Sequence, residues 1–409
     1  MSFSIKVDIN GGVTSPQGFR ANGIHCGIRK NKEKKDLMLL VSDTLCDAAA
    51  VYTQNLVCGA PITVTREHLK NGKARAVICN SGIANTCNAD GVEKAAAMCD
   101  LTSRFTGIPA DDVIVASTGV IGQPIDLTPI ENGMQALVSG LSADGADAAA
   151  QAIMTTDTVQ KSMAVRFELD GKPCTIGAMA KGSGMIHPNM ATMLSFITTD
   201  ANITTEMLQE ALNWCVHRSY NMLSVDGDTS TNDTVAILAN GHCGNTRIET
   251  QNEDYAKFCR ALFKVCNYMV RMLAKDGEGA TKLVLCEVQN APDEETARTC
   301  AKSVIRSPLV KTAMFGADAN WGRVLCALGY AGAKIDVSKI DVRFSSEKGE
   351  IAVCENGAGT PFSEEKAKEI LLADEITILV DLKDGEAQAT AYGCDLTYDY
   401  VKINGDYRT

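Results

Sequence analysis

The segment Lys181–Leu194 contains the residue types that a self-cleaving protein needs. Its sequence is KGSGMIHPNMATML, in which a small residue, Ala191, stands directly before a hydroxyl residue, Thr192. The glycines and the proline allow a tight loop, and the apolar run Met193–Ile197 predicts a strand that would hold Thr192 at its start. This arrangement suits an N→O acyl shift, in which the Thr192 hydroxyl attacks the Ala191 carbonyl and the resulting ester hydrolyses.

A threonine released in this way carries both a nucleophile and a base. Its α-amine has a pKa of about 7.7–8.0 and can accept the hydroxyl proton near neutral pH. The alternative is a glycine-rich turn that leads into an ordinary buried strand, and spacing alone favours that alternative. Cleavage between Ala191 and Thr192 is therefore a hypothesis at this point.

Other catalytic and ligand-binding motifs are absent from the sequence. There is no P-loop and no dinucleotide-binding glycine motif. The run Asp226–Asn232 offers oxygen ligands for calcium at alternate positions but lacks the glycine and the glutamate of an EF-hand loop. The five histidines have neither metal-ligand spacing nor a serine-triad partner. The 16 cysteines form no C-x-x-C pair, so we expect neither a zinc site nor a disulfide.

Composition limits the class of protein. The chain has 409 residues, 45% of them apolar and 22% charged, which indicates a folded chain of two or three domains or one large one. A formal charge of −11 argues against a nucleic-acid or anionic-membrane partner. We see no apolar stretch of membrane-spanning length and no signal peptide, so we expect a cytoplasmic protein.

The elements that position these residues alternate between strands and helices, which predicts an α/β fold. Helical patterns follow Thr204, a predicted N-cap, and extend from about Asp254 to Lys275. The Ala-rich run Ala146–Ala152 also predicts a helix, whereas Glu386–Tyr392 and Tyr398–Ile403 are interpreted as paired strands. Further apolar runs of strand length are Ala76–Cys79, Val113–Val115, Val235–Leu238, Leu283–Leu285 and Ile376–Val380.

The segment KGSGMIHPNMATML resembles the signature of the ArgJ family, the glutamate N-acetyltransferases also called ornithine acetyltransferases. The resemblance extends over essentially the whole chain, because further motifs occur in the family's order. These motifs are Ser117–Gly122, Thr155–Thr158, Ser224–Asp233, Asp276–Lys282, Ala319–Arg323 and Asn404–Thr409.

The resemblance implies a layered α-β-β-α sandwich of the ArgJ/DmpA-like type, which is self-processing and is similar to Ntn hydrolases in logic but not in connectivity. It also implies an α chain of residues 1–191 and a β chain of residues 192–409, assembled as an α₂β₂ heterotetramer. The implied reaction moves an acetyl group from N2-acetylornithine to Thr192 and then to glutamate, with no metal or nucleotide cofactor. Some members also accept acetyl-CoA, and no residue of this sequence decides that question.

The resemblance also assigns the site residues. The oxyanion hole maps onto Thr118 and Gly119, which we expect in a turn after the strand Val113–Val115. Lys181 is expected to meet the substrate's α-carboxylate, and Glu278 the side-chain ammonium of ornithine. Taken alone, these residues would be a strand-ending turn, a solvated lysine and a carboxylate in a turn. The full set of implied substrate contacts is Thr155, Lys181, Thr192, Glu278, Asn404 and Thr409, with Thr156 an alternative to Thr155.

Two departures from the family's pattern are visible, namely Gly405 in place of an expected Ala and Ile83 in place of an expected Asn. Neither is the nucleophile, part of the oxyanion hole or Lys181, so neither departure puts the activity in doubt.

Two other functions compete with acetyl transfer. One is an amide hydrolase of the DmpA aminopeptidase type. The nucleophile of those enzymes is a serine, so the threonine at position 192 argues against this function. The other is an uncleaved binding protein that has kept the fold and lost the chemistry.

Overall fold

The computed structural model describes residues 3–187 and 193–405, which form two compact units. Unit 1 comprises residues 3–182, 193–217 and 229–269, and unit 2 comprises residues 183–187, 218–228 and 270–405. Each unit takes residues from both sides of the Ala191–Thr192 junction. The division into chains 1–191 and 192–409 is thus not a division between compact units, and it stays a prediction about cleavage.

Strands and helices alternate along the described residues, as the sequence predicts. The strands are β1 (Lys6–Asp8), β2 (Phe19–Ile24), β3 (Leu37–Tyr52), β4 (Lys73–Ile83), β5 (Val113–Val120), β6 (Lys161–Leu169), β7 (Lys172–Lys181), β8 (Leu194–Thr199), β9 (Leu223–Ser224), β10 (Thr234–Ala239), β11 (Leu283–Ala291), β12 (Asp341–Ser346), β13 (Gly349–Glu355), β14 (Ala358–Gly359), β15 (Glu375–Asp381) and β16 (Ala387–Cys394). The helices are α1 (Ala60–His68), α2 (Gly91–Thr106), α3 (Thr128–Ser139), α4 (Ala146–Ile153), α5 (Thr205–Arg218), α6 (Glu253–Lys275), α7 (Glu294–Arg306), α8 (Pro308–Phe315), α9 (Trp321–Gly329), α10 (Glu364–Leu371) and α11 (Tyr398–Gly405).

Unit 1 is built on a mixed sheet whose strands follow the order β1-β6-β7-β8-β10-β3-β4-β5, with β2 also paired to β3. Successive side chains of its central strands face opposite sides, so that both faces are apolar. On β4, for example, Val77 packs in a core with helix α4, whereas Ile78 packs in a second core with α1, α2 and α3. Ile83, one of the departures from the family pattern, is part of this second core.

Unit 2 contains the second sheet, in the order β14-β13-β12-β15-β11-β16-β9. Helix α7 packs on β11 and β16, and α10 packs on β12 and β13. On β15 the buried residues alternate, with Ile376, Ile378 and Val380 facing inward. Helices therefore cover a sheet in each unit, and the predicted α/β class is confirmed.

Most predicted elements are confirmed, and the differences have local causes. The Thr204 hydroxyl accepts a hydrogen bond from the Met207 N–H at 3.3 Å and caps α5, as predicted. The prediction of a strand at Tyr398–Ile403 is wrong, because this segment is helix α11. The Thr397 hydroxyl accepts the Tyr400 N–H at 3.4 Å, which is an N-cap interaction that the β-branched residues concealed.

The cysteines are single thiols throughout the described residues, and most of them are buried, as expected of small apolar side chains. Among those same residues, none of the helices is long and apolar enough to cross a membrane.

Candidate active site

Three strand ends of unit 1 meet next to the predicted cleavage site. Ala191 and Thr192 themselves, like Thr409, lie outside the described residues. Leu194, the first residue of β8, is paired with Lys181 at the end of β7 and with Thr234 at the start of β10. The Thr234 N–H also donates to the Met193 carbonyl at 2.9 Å. The backbone directly after Thr192 is therefore fixed between two neighbouring strands.

Lys181 and Thr118 are in direct contact, as expected if both belong to one site. The Lys181 ammonium donates a hydrogen bond to the Thr118 hydroxyl oxygen at 3.1 Å, and both residues are only 8% exposed. Burial lowers the pKa of Lys181, and the carboxylates of Asp157 and Asp233 partly offset this effect. Lys181 is therefore not the solvated loop lysine that its sequence context favours, but a cation held inside the protein.

The prediction that Thr118 and Gly119 lie in a turn is wrong, because both are within β5. Gly119 has φ +134°, and a Cβ at this position would lie 2.2 Å from the carbonyl carbon of Gly82 on β4. The pairing of β4 with β5 shifts register at this point. Only glycine permits this approach of the two strands, so that the backbone N–H of Gly119 is placed by strand packing.

Thr155 is held close to the end of β7 by a buried carboxylate. Asp157 accepts hydrogen bonds from the backbone N–H groups of Thr155 at 2.9 Å and Gly182 at 2.7 Å. It also pairs with the Lys161 ammonium at 2.7 Å, and both side chains are fully buried. Burial raises the pKa of Asp157, but the positive charges of Lys161 and Lys181 outweigh this effect, and the pKa falls to about 2. The choice between Thr155 and Thr156 as the substrate contact stays a prediction.

Asn232 fixes the backbone that precedes the expected oxyanion hole. Its amide nitrogen donates to the carbonyls of Ala84 at 2.6 Å and Ser117 at 3.0 Å. Its amide oxygen accepts hydrogen bonds from the hydroxyls of Thr86 and Thr231, both at 2.6 Å. A buried carboxamide with both of its ends hydrogen-bonded holds its neighbours in one geometry, and here the neighbour is the residue before Thr118.

Asp233 is a buried carboxyl group beside the start of β10. The residue is 2% exposed, and its Oδ2 has no hydrogen-bond partner in the described part of the chain. Burial raises its pKa well above the usual value, although the Ser230 hydroxyl and the Lys181 charge oppose this effect. An unpaired buried polar atom is costly to the folded state.

In unit 2, Glu278 and Asn404 form a second pair of predicted site residues. The Asn404 amide donates to the Glu278 carboxylate at 2.7 Å, and Glu278 is 7% exposed. The Glu278 N–H donates to the Ser183 carbonyl at 2.9 Å. A Cβ at Gly184 would lie 2.3 Å from the carboxylate carbon and one carboxylate oxygen of Glu278. Gly184 of the signature therefore leaves the space that this carboxylate occupies.

Asp226, which belongs to the run rejected above as an EF-hand loop, hydrogen-bonds to the backbone of the signature segment. Its carboxylate accepts the N–H groups of Met185 at 2.6 Å and Ile186 at 2.8 Å, and the hydroxyl of Tyr400 at 3.3 Å. Burial raises its pKa, while these N–H donors act in the opposite direction. The backbone of Met185 and Ile186, in the first half of the signature, is thus held in place by this carboxylate.

The sequence does not predict a place in the site for Asp157, Asp226, Asn232 or Asp233. A signal was present, because all four lie in the motifs Thr155–Thr158 and Ser224–Asp233, which contain more polar side chains than a turn requires. The partners reported above for Asp226 and Asn232 are distant in the chain, except for Thr231, and Ser117 is 115 residues from Asn232, so no local pattern identifies these contacts.

Comparison with known proteins places the chain in a family. The family model described as the ArgJ family matches residues 20–409. The arginine biosynthesis bifunctional protein ArgJ of Caldanaerobacter subterraneus is 49% identical over 402 residues, covering 98% of this chain and 99% of that protein. ArgJ 1 of Clostridium acetobutylicum is 51% identical over 407 residues, covering 99% of this chain and 100% of that protein.

A solved structure agrees with these relatives. It is a crystal structure of the arginine biosynthesis bifunctional protein from Bacillus halodurans, with 45% identity and a TM-score of 0.51. The match covers 53% of this chain and 100% of that chain. From the match of the family model to residues 20–409 and the identity to the two relatives, the chain belongs to the ArgJ family.

Proposed function

We propose that this chain transfers an acetyl group from N2-acetylornithine to glutamate in arginine biosynthesis, through an acetyl ester on Thr192. The precursor first cleaves itself between Ala191 and Thr192. The observation that carries this proposal is the buried contact of Lys181 with Thr118. It lies at the end of the sheet where β8 begins, two residues after the predicted nucleophile. Membership of the ArgJ family supports the reaction class.

The reaction has two halves of the same kind. The α-amine of Thr192 accepts the hydroxyl proton while the hydroxyl oxygen attacks the acetyl carbonyl. The tetrahedral intermediate then collapses, its C–N bond breaks, and ornithine leaves after its nitrogen takes that proton. In the second half the amine of glutamate attacks the ester, and Thr192 regains its proton as N-acetylglutamate leaves. Both halves pass through an oxyanion, so one set of donors serves both.

The donors for this oxyanion are the Thr118 hydroxyl and the Gly119 N–H. Because the Thr118 oxygen accepts a hydrogen bond from Lys181, its own proton is available for donation, and the nearby cation makes the hydroxyl a stronger donor. Gly119 is fixed by the close packing of β4 on β5. Preorganised donors of this kind are usually worth about 10²–10³ in rate each.

Substrate recognition follows from the charges of the remaining residues. Lys181 is the cation for the α-carboxylate that acetylornithine and glutamate share, and Glu278 is the anion for the side-chain ammonium of ornithine. Asn404 hydrogen-bonds the Glu278 carboxylate and orients it. Thr155 and Thr409 complete the set of proposed contacts.

We extend the proposal to acetyl-CoA as a second acetyl donor to glutamate, because the relatives at 49% and 51% identity are named bifunctional proteins. Further parts of the proposal are an α₂β₂ heterotetramer, a cytoplasmic location and an acetyl transfer that uses no metal or nucleotide cofactor. The chemistry supports the last point, since Thr192 supplies the nucleophile and the base, and the chain supplies the oxyanion donors.

Intact-mass spectrometry before and after brief incubation with N-acetylornithine tests the proposal. We expect two chains, one of them beginning at Thr192 and gaining one acetyl group. The Thr192→Ala variant is expected to stay as one chain without transferase activity, and its cleavage would show that the nucleophile is misassigned.

Two other outcomes would favour the competing functions. A single wild-type chain that never takes up acetyl would favour a binding protein. Release of acetate from acetylornithine at a rate independent of glutamate would favour an amide hydrolase.

A further inference from the structure

Two cysteines and one aspartate of unit 1 lie together at the end of the sheet opposite to Lys181. Cys174 is near the start of β7, Asp200 directly follows β8, and Cys243 follows β10. These three strands are neighbours in the sheet. Lys181 is seven residues from Cys174 along β7, about 23 Å at a rise of about 3.3 Å per residue. The cluster is therefore remote from the proposed acetyl-transfer residues of this sheet.

The ligand atoms of this cluster are close enough to share one ion. The two thiol sulfurs and a carboxylate oxygen of Asp200 all lie within 4.8 Å of one another. In a tetrahedral zinc site with Zn–S bonds of about 2.3 Å, two sulfurs are about 3.8 Å apart. We propose that Cys174, Asp200 and Cys243 bind one thiophilic divalent cation, of which Zn²⁺ is the representative, with water as the fourth ligand.

Hydrogen bonds to the backbone hold two of the metal ligands, Asp200 and Cys243, in place before any ion binds. The Asp200 carboxylate accepts the N–H of Thr175 at 2.7 Å and that of Gln17 at 3.3 Å, which leaves further lone pairs free. The Cys243 N–H donates to the Asp200 carbonyl at 2.7 Å, so a backbone hydrogen bond links these two ligand residues. Hydrogen bonds that orient a ligand from outside are a regular feature of metal sites.

Burial and accessibility also fit a metal site. Cys174 and Asp200 are buried, which shields the ion from water, while Cys243 is half-buried and gives the ion a path from solvent. Two soft thiolates select zinc-like ions over magnesium and calcium, which prefer oxygen ligands. The sequence did not indicate this site, because 26 and 43 residues separate the successive ligands and no C-x-x-C spacing occurs.

Bound at this end of the sheet, the ion joins β7, β8 and the segment after β10 and stabilises the folded chain. It takes no part in acetyl transfer. Because the folded chain binds the ion and the unfolded chain lacks the assembled site, we expect Tm to rise with the concentration of the ion.

The experiment is a titration of the reduced, metal-free protein with Co²⁺ and then with Zn²⁺. We expect one Co²⁺ per chain, with a thiolate-to-cobalt charge-transfer band that Zn²⁺ displaces, and a higher Tm in the presence of Zn²⁺. Cys243→Ser should lose this band and lower the affinity at least about tenfold. Cys58→Ser, which changes a half-buried cysteine outside the cluster, should retain both.

Three results would overturn the proposal: no charge-transfer band in the reduced protein, an unchanged band in Cys243→Ser, or a band lost in a Cys87→Ser/Cys326→Ser variant. The last would place the ion on the exposed cysteines. Acetyl transfer by Cys243→Ser is expected to match that of the unsubstituted protein, so the test is independent of the proposed function.

Discussion

The Lys181 ammonium donates a hydrogen bond to the Thr118 hydroxyl oxygen across 3.1 Å, although the two residues are 63 positions apart in the chain. This contact joins the residue expected to bind the substrate carboxylate to one expected to stabilise the oxyanion. A cation next to a neutral donor strengthens that donor where negative charge develops.

Replacement of Thr118 by Val should lower kcat by about 10²–10³. The substitution keeps the shape of the side chain but removes the hydroxyl that donates to the oxyanion. KM should change much less, because this donor acts mainly in the transition state. Steady-state kinetics with N-acetylornithine and glutamate measure both constants. Thr44→Val, at an exposed threonine, is the control, and equal rates for the two variants would remove Thr118 from the oxyanion hole.

Substitution of Asn232 by Asp should lower kcat at least about tenfold while the chain remains folded. The new carboxylate has no N–H groups for the Ala84 and Ser117 carbonyls, and an unsatisfied buried group costs about 1–3 kcal/mol. The backbone before Thr118 is then no longer held in position. Asn245→Asp is the matched control, because Asn245 is also a buried amide that bonds to backbone groups. If both variants lose stability and neither loses kcat, Asn232 has only a structural role.

The Glu278→Gln variant should weaken the binding of ornithine much more than the binding of glutamate. It removes the negative charge that is expected to face the ornithine ammonium, whereas glutamate carries a carboxylate in its side chain. The product ornithine should therefore inhibit about 10–100-fold more weakly, as expected for loss of a hydrogen bond to a charged group, while KM for glutamate should rise far less. Inhibition constants and KM values measure the difference. Equal changes in the inhibition constant of ornithine and in KM for glutamate would contradict this role. Glu295→Gln, at an exposed glutamate, serves as the control.

His187 should make the protein less stable as the pH falls from about 6.5 to 4. Burial, together with the positive charges of Lys302, Arg306 and Lys311, lowers the pKa of His187 to about 4. Between this value and the unfolded pKa of about 6.5, the unfolded chain binds the proton and the folded chain does not, so the free energy of unfolding rises with pH in this range.

Denaturant unfolding at several pH values tests this sign. The His187→Gln variant should show a smaller loss of stability between pH 6.5 and pH 4 than the unsubstituted protein. The control is His242→Gln, at an exposed histidine, whose profile should follow that of the unsubstituted protein. If His187→Gln shows the same slope as the control, protonation of His187 does not contribute to acid destabilisation.

Local patterns in the sequence predicted most of the secondary structure of the described residues. The helix at Ala146–Ile153 and the strand at Leu194–Thr199 follow from composition and apolar periodicity, which depend on near neighbours. The predicted strand at Tyr398–Ile403 is wrong, because its β-branched and aromatic residues favour strands while the helix found there depends on a capping hydroxyl at Thr397. Thr118 and Gly119 were expected in a turn, because the apolar run ends at Val115 although the strand continues.

The sequence by itself determined the α/β class and, through the signature around Thr192, the family and its chemistry, because these depend on residue types in a fixed order. The tertiary structure decided which distant groups meet. It buried Lys181 against Thr118, used Asn232 to fix the backbone before Thr118, and placed Cys174 beside Cys243. Such contacts arise from the pairing of strands that are remote in the chain. No periodicity along the sequence records that pairing, because its free energy comes from packing across the whole sheet.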